Sequence, residues 1–272
     1  MRKRKFPIRV MVLLAFMVST ARADTLSIPG SGVCEFLLHE LAAGYNARHP
    51  GRQVIIPPSV GSKGGIRLVG SGEAVLGRVA SNMKDNAKAY GLTYLPFARD
   101  AVVFAVGANV TVDNLSTEQI VGIYQGRITN WQEVGGRPGV IRVLVRQPGD
   151  SVLLQIGRRI PEFQTMTFPA DSKMVHYGPE MGKMLGKYKL AIGMGAKSSL
   201  LNPELLIKPL GLDGIRPDPE NMLNGKYPML EDFALIFKEN RLTPLARDFM
   251  DFIFSSSGQE TMHKYGVIPL KK

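Results

Sequence analysis

Three short turns carry the residues best suited to chemistry. Ser31-Gly32-Val33, Ser62-Lys63-Gly64-Gly65 and Gly149-Asp150-Ser151 each stand where a helical pattern begins, and the third follows closely on Arg146. A helix N-terminus leaves its first amides without partners and carries partial positive charge, so it can hold an anion without a metal. Serine hydroxyls beside those amides add donors, and Arg146 could add a bidentate guanidinium. The plainer alternative is that Gly/Ser turns are common helix caps and that an arginine after a strand is a solvated surface residue. Asp150 divides the same way. It is a good N-cap, and it could also accept a proton carried by a bound oxyanion.

Other chemistries find less support. Ser151 beside Asp150 suggests a hydrolase nucleophile, but such a serine needs a base, usually histidine, and no Gly-x-Ser-x-Gly elbow is present. His39, His49, His176 and His263 are scattered without metal-ligand spacing, so no metal and no cofactor is expected. Cys34 is the one cysteine, which excludes an internal disulfide, and it reads as a small buried hydrophobe.

The elements that must position the turns follow one pattern. Thr25 to Ile28, Val54 to Ile56 and Ala74 to Val79 read as strands. The first two lead through Gly/Ser turns into amphipathic stretches, the first marked by Val33, Phe36, Leu37, Leu41 and Tyr45. Repeated strand, turn and helix predicts an α/β fold with mostly parallel sheets. Ala101 to Val106 is a continuous apolar run, as in a strand buried on both faces. Ser116 with Gln119 forms a capping box opening a helix. Ile141 to Val145 and Ala191 to Met194 are further strands, and Ser151 to Ile160 a helix. Asn202 to Pro228 is turn-rich. Phe233 to Phe237 is another buried strand, and Pro244 to Phe254 and Gly258 to Tyr265 are helices.

The chain has 272 residues, and 34 Lys+Arg against 23 Asp+Glu give a formal charge of +11. Six of those bases (Arg2, Lys3, Arg4, Lys5, Arg9 and Arg22) lie in the first 23 residues, which hold no acid, so the remainder carries only +5. With no basic run interleaved with aromatics, nucleic acid is not an expected partner. The first 23 residues read as a signal peptide: a basic start, apolar Val10 to Val18, then Ala21-Arg22-Ala23. That apolar core is too short to span about 30 Å of hydrocarbon. The expectation is cleavage after Ala23 and a periplasmic protein that is not membrane-embedded.

A set of segments, in order, resembles the phosphate-type substrate-binding proteins of ABC transporters, the class II periplasmic receptors. They are Ile28-Pro29-Gly30-Ser31-Gly32, Gly61 to Ile66, Ala98 to Val103 and Leu115 to Ile120. Next come Ile123-Tyr124-Gln125-Gly126-Arg127-Ile128-Thr129-Asn130-Trp131 and Glu133 to Gly136. Arg146 with Gly149-Asp150-Ser151, and Ala191-Ile192-Gly193, complete the set. The resemblance implies two α/β lobes, each a mostly parallel sheet flanked by helices, joined by two crossing strands near Pro96 to Val103 and Glu231 to Leu235. Lobe one would be residues 24–97 with 230–272, and lobe two 98–229. It also implies a monomeric, non-enzymatic receptor that binds an oxyanion, phosphate foremost, in the cleft and delivers it to an ABC permease. A degenerate cleft used for signalling or partner contact is the alternative.

By the same resemblance Ser62 and Arg146 lead the ligand-binding set. Ser31 and Gly32 follow, acting mainly through their amides, with Gly64, Ser81, Asp150 and Ser151 completing it. The chain departs from the family pattern Arg-x-x-Gly-Ser-Gly-Thr, having Asp150 and Val152 where hydroxyls are usual. Val33 and Cys34 stand where the first turn usually has a threonine. These departures remove three donors and add one negative charge.

Overall fold

The computed structural model describes residues 24–80, 83–176, 178–200 and 206–272. The signal-peptide reading and Ser81 therefore lie outside the described residues. The chain opens with β1 (Asp24–Ser27), α1 (Glu35–Arg48), β2 (Arg52–Ile55), α2 (Gly61–Ser71), β3 (Leu76–Ala80), α3 (Lys84–Ala89) and the long β4 (Thr93–Val106). Next come β5 (Asn114–Leu115), α4 (Thr117–Tyr124), β6 (Arg142–Arg146), α5 (Ser151–Arg159), β7 (Lys173–Val175), α6 (Gly178–Lys187), β8 (Ala191–Ala196) and α7 (Lys197–Leu200). It returns through β9 (Lys208–Pro209), β10 (Gly211–Leu212), α8 (Pro219–Leu223), β11 (Leu230–Phe237), α9 (Pro244–Phe254), α10 (Ser256–Lys264) and β12 (Ile268–Pro269).

β4 organises the molecule. Its first part pairs with β11 and β12, and Val102 to Val106 pair with β8 and β9. The apolar run in its second half is wholly buried, because helices and strands cover both faces. The sheet is mixed rather than uniformly parallel. β1 with β2, β5 with β10, and β6 with both β7 and β8 are parallel, while every pairing made by β4 or β11 is antiparallel. One long strand leads from the first part of the chain into the middle and the other leads back, so they run in opposite directions.

Local chemistry accounts for the element ends. Ser116 and Gln119 make both bonds of the capping box, at 3.1 and 2.9 Å. Thr243 caps α9 and Pro244 occupies its first turn, where a missing N–H costs nothing. Trp131 is buried in a short 3-10 turn and donates its indole N–H to the Leu190 carbonyl at 2.9 Å. Cys34 is fully buried, and burial pushes its thiol up to about 12. Among the elements without a forecast are α3, β7 and α6, whose sequences Lys-Asp-Asn-Ala-Lys-Ala, Lys-Met-Val and Gly-Pro-Glu-Met-Gly-Lys-Met-Leu-Gly-Lys carry few apolar residues or several glycines.

Candidate functional site

The three turns meet at one cavity of about 810 Å³. Ser31, Gly32, Ser62, Arg146, Asp150 and Ser151 all line it. Gly64 does not: it lies one turn further along α2 than Val60, whose side chain would sit 3.0 Å from a Cβ added there. Lys63, Arg158, His176 and Glu231 also reach the wall. The His176 imidazole Nδ1 is hydrogen-bonded to Gln147 at 2.8 Å.

The first turn is held from beneath by Arg78, an arginine inside the apolar strand β3. Its side chain is fully buried. Nε donates to the Ser31 carbonyl at 2.8 Å and Nη2 to the Pro57 carbonyl at 2.7 Å and to Glu35 at 3.0 Å, while Nη1 donates to the Ile28 carbonyl. Burial pushes the guanidinium down from its usual range, and Glu35 counters that. Gly30, at φ +146°, lets the backbone lie against β3, where a Cβ would come 1.8 Å from the Arg78 carbonyl oxygen.

This geometry corrects the expectation for Ser31. Its amide is already used, donating to the Arg78 carbonyl at 2.9 Å. α1 starts at Glu35, so Ser31 and Gly32 precede the helix rather than open it. What Ser31 can offer is its hydroxyl, which accepts from the Val33 amide at 3.3 Å and keeps its own proton to donate.

The second turn is tied to the first by Ser59, whose hydroxyl donates to the Gly30 carbonyl at 3.1 Å. Gly61 opens α2 at φ +71°, and Ser62 follows. The Ser62 hydroxyl accepts from the Ala80 amide at 3.3 Å, which fixes the side chain and again spares its proton. The amides of Ser62 and Lys63 lie in the first turn of α2, where the helix supplies no acceptor.

The third turn joins β6 to α5. Arg146 ends β6 with its side chain 2% exposed. Nη2 donates to one Asp150 oxygen at 2.7 Å, whereas Nε and Nη1 are buried without partners. The other Asp150 oxygen accepts from the Val152 amide at 3.0 Å, which makes Asp150 the N-cap of α5. Buried donors left unmade are costly, so the two free positions on Arg146 point to a partner that is not part of the chain.

Glu231 was missed in the sequence. It lies on β11, 1% exposed, in register with Asp100 of β4. Its Oε2 is buried and unpartnered. Burial, with the nearby charges of Asp150 and Asp100, pushes its carboxyl up to about 8, against the pull of Arg158. Asp100 itself is raised to about 6 by burial, although the Ala101 and Ser198 amides donate to it at 2.7 and 3.0 Å. The one signal was an acid interrupting a buried strand, obscured by its neighbour Asp232, which forms a surface pair with Arg99 at 2.5 Å. Among the described residues no group of His, Cys, Asp and Glu is placed to hold a metal ion, and no helix is long and apolar enough to cross a membrane.

A family model described as a PBP superfamily domain matches residues 18–257. The chain belongs to the PBP superfamily. Among the similar members is the phosphate-binding protein PstS of Bacillus subtilis, 25% identical over 91% of this chain and 81% of its own length. PstS of Borreliella burgdorferi is 24% identical over 96% of this chain and 98% of its own. A crystal structure described as a phosphate ABC transporter substrate-binding protein with bound phosphate, from Clostridium perfringens, superposes with a TM-score of 0.78. It is 26% identical and covers 91% of this chain and 100% of that one. The fold of this PBP superfamily protein is accordingly the two-lobed α/β receptor fold.

Proposed function

We propose that this protein is an exported receptor for an inorganic oxyanion, phosphate foremost, which it hands to an ABC permease. The observation that carries the reading is Arg146, buried at the cavity wall with two N–H groups unpartnered. A tetrahedral oxyanion presents paired oxygens that match such a fork. Around it stand the Ser31 and Ser62 hydroxyls and the first-turn amides of α2 and α5. The named relatives are phosphate-binding proteins, which supports the same choice of ligand. The protein acts as a receptor and not as an enzyme.

In this reading residues 24–97 with 230–272 form one lobe and 98–229 the other, with β4 and β11 as the hinge. A cavity of about 810 Å³ far exceeds one small anion, so the ligand is gripped by closure of the lobes. Export is directed by the segment ending at Ala23, which is then removed.

A thermal-shift panel on residues 24–272 with phosphate, arsenate, sulfate, molybdate and citrate tests the proposal. Phosphate is expected to raise Tm, more steeply as its concentration exceeds Kd. No shift with any of the anions would sink the receptor reading and favour a cleft used for partner contact.

A further inference from the structure

The cavity is not polar throughout. Each of the two helices that begin at it presents an exposed apolar side chain: Val60 before α2 and Leu154 in α5, 51% and 49% exposed. Met83, half-buried, lines the same wall. Such groups offer nothing to a bare tetrahedral ion, whose oxygens all seek donors. A cation follows each of them. Lys63 stands three residues after Val60 and Arg158 four after Leu154, and both reach the cavity. Ser151, Leu154 and Arg158 fall at i, i+3 and i+7, one stripe of α5. At 1.5 Å per residue, the apolar group lies about 4.5 Å and the cation about 10 Å along the helix from the hydroxyl.

The acids of the wall do not serve these cations. Asp150 is engaged on both oxygens, by Arg146 and by the Val152 amide. Glu231 is 1% exposed, and burial pushes its carboxyl up to about 8 against the pull of Arg158, so it is mostly uncharged at neutral pH. Arg158 donates to the neutral Gln155 side chain at 3.1 Å. Lys63 forms no ion pair among the described residues. Closure of the lobes would carry α2 towards α5 and bring Lys63 and Arg158 together, which their like charges oppose. An acid group placed between them reverses the sign of that contact. Cavities of roughly 300–1,000 Å³ take ligands of organic size, and this one is about 810 Å³.

We propose that the site also takes, and holds more tightly than phosphate, a small organic phosphonate or phosphate monoester whose carbon chain ends in an acid. The phosphorus oxygens sit on Arg146, the chain lies between Val60 and Leu154, and the acid meets Lys63 and Arg158. This rests on the receptor reading for the seat at Arg146 and adds a ligand class to it. Binding changes no covalent bond.

Titration calorimetry of the wild-type protein tests it with phosphate, methyl-, ethyl- and propylphosphonate, 3-phosphonopropionate and phosphoglycolate. Affinity is expected to rise from methyl to propyl by up to about fourfold per methylene. 3-Phosphonopropionate is ethylphosphonate with a carboxylate added, and should gain up to about fivefold over it, the range of exposed ion pairs. Phosphoglycolate replaces one of its methylenes with oxygen. Whichever of the two binds more tightly tells whether the carbon is joined to phosphorus directly or through an ester. V60S/L154S should flatten the alkyl series, K63Q/R158Q should remove the carboxylate gain, and Arg146→Ala should weaken every ligand.

Phosphate binding with affinity that falls at each added carbon would overturn the inference and leave the receptor reading intact. Val60 and Leu154 would then meet each other on closure. An alkyl gain that survives in V60S/L154S would overturn it too, as would a carboxylate gain that is absent or survives in K63Q/R158Q. If neither phosphate nor any phosphonate binds, the receptor reading itself falls. Should a variant fail to fold, the wild-type ligand series decides.

Discussion

Asp150 accepts from Arg146 with one carboxylate oxygen, at 2.7 Å, and caps α5 with the other, at 3.0 Å. The two roles are linked, because the cap fixes where the carboxylate sits and so leaves Nε and Nη1 of Arg146 for a ligand. Asp150→Ala removes a cap worth about 1 kcal/mol and strands a buried cation. The expected cost in a urea melt is about 3 kcal/mol. Phosphate should restore part of it, since the anion takes the place of the missing carboxylate, and the rise in Tm on adding phosphate should exceed that of the wild type. Asp150→Asn keeps the cap and removes the negative charge, so phosphate and sulfate should both bind more tightly. Their ratio should stay the same. A ratio that narrows would show that Asp150 reads a proton on the ligand.

Arg146 supplies the main side-chain charge. A charge-assisted bond in a closed cleft contributes about 1.5–3 kcal/mol, so Arg146→Ala should weaken phosphate binding by roughly one to two orders of magnitude. Arg146→Lys should recover little of this, because an ammonium cannot present the planar fork. Titration calorimetry on folded variants checks both. Unchanged affinity in Arg146→Ala would place the site elsewhere.

Much of this arrangement is legible in the chain. The Gly/Ser turns, the buried run at Ala101 to Val106 and the capping box at Ser116 follow from local rules of turn chemistry and burial, and those rules held. The details that decide the chemistry of the site are non-local. Nothing near Ser31 says that its amide is spent on Arg78, 47 residues away. Nothing near Glu231 says that Asp100 lies opposite in register or that α5 packs over it. Arg78 and Glu231 share one signature, a charge inside an otherwise apolar strand. Burial is what separates them from Arg99 and Asp232, which look the same in sequence and pair at the surface.

Glu231 also leaves a mark on stability. Its carboxyl is raised from an ordinary 4.5 to about 8, so the folded state holds a proton that the unfolded chain releases. That contribution is fully present below pH 4.5 and is lost as pH rises through about 8. Asp100, raised from 3.8 to about 6, acts in the same direction over a lower window. Without ligand, wild-type stability should decline between about pH 4.5 and 8, and Glu231→Gln should decline less, the gap between them widening across that window. Parallel curves from denaturant melts at each pH would mean that Glu231 ionises freely in the folded protein.

The first turn tolerates no side chain at Gly30. Its φ of +146° is closed to L residues, and a Cβ there would lie 1.8 Å from the Arg78 carbonyl oxygen. That oxygen cannot retreat. It accepts the Ser31 amide, the Arg78 amide donates to Pro29, and the strand behind it is paired with β11. α2 closes the other side, where a Cβ on Gly65 would come 2.9 Å from the Gly30 Cα. Gly51 provides the comparison, with φ at +86° but nothing within 4 Å of its Cβ. Gly51→Ala should therefore cost only the backbone strain, about 1–2 kcal/mol. Gly30→Ala adds a backbone clash to that strain and should exceed about 4 kcal/mol, beyond the ordinary range of single substitutions. Any folded remainder should bind phosphate poorly, because Ser31 and Ser59 are positioned through this residue. Equal urea midpoints for the two variants would show that the turn is not packed against β3 in this way.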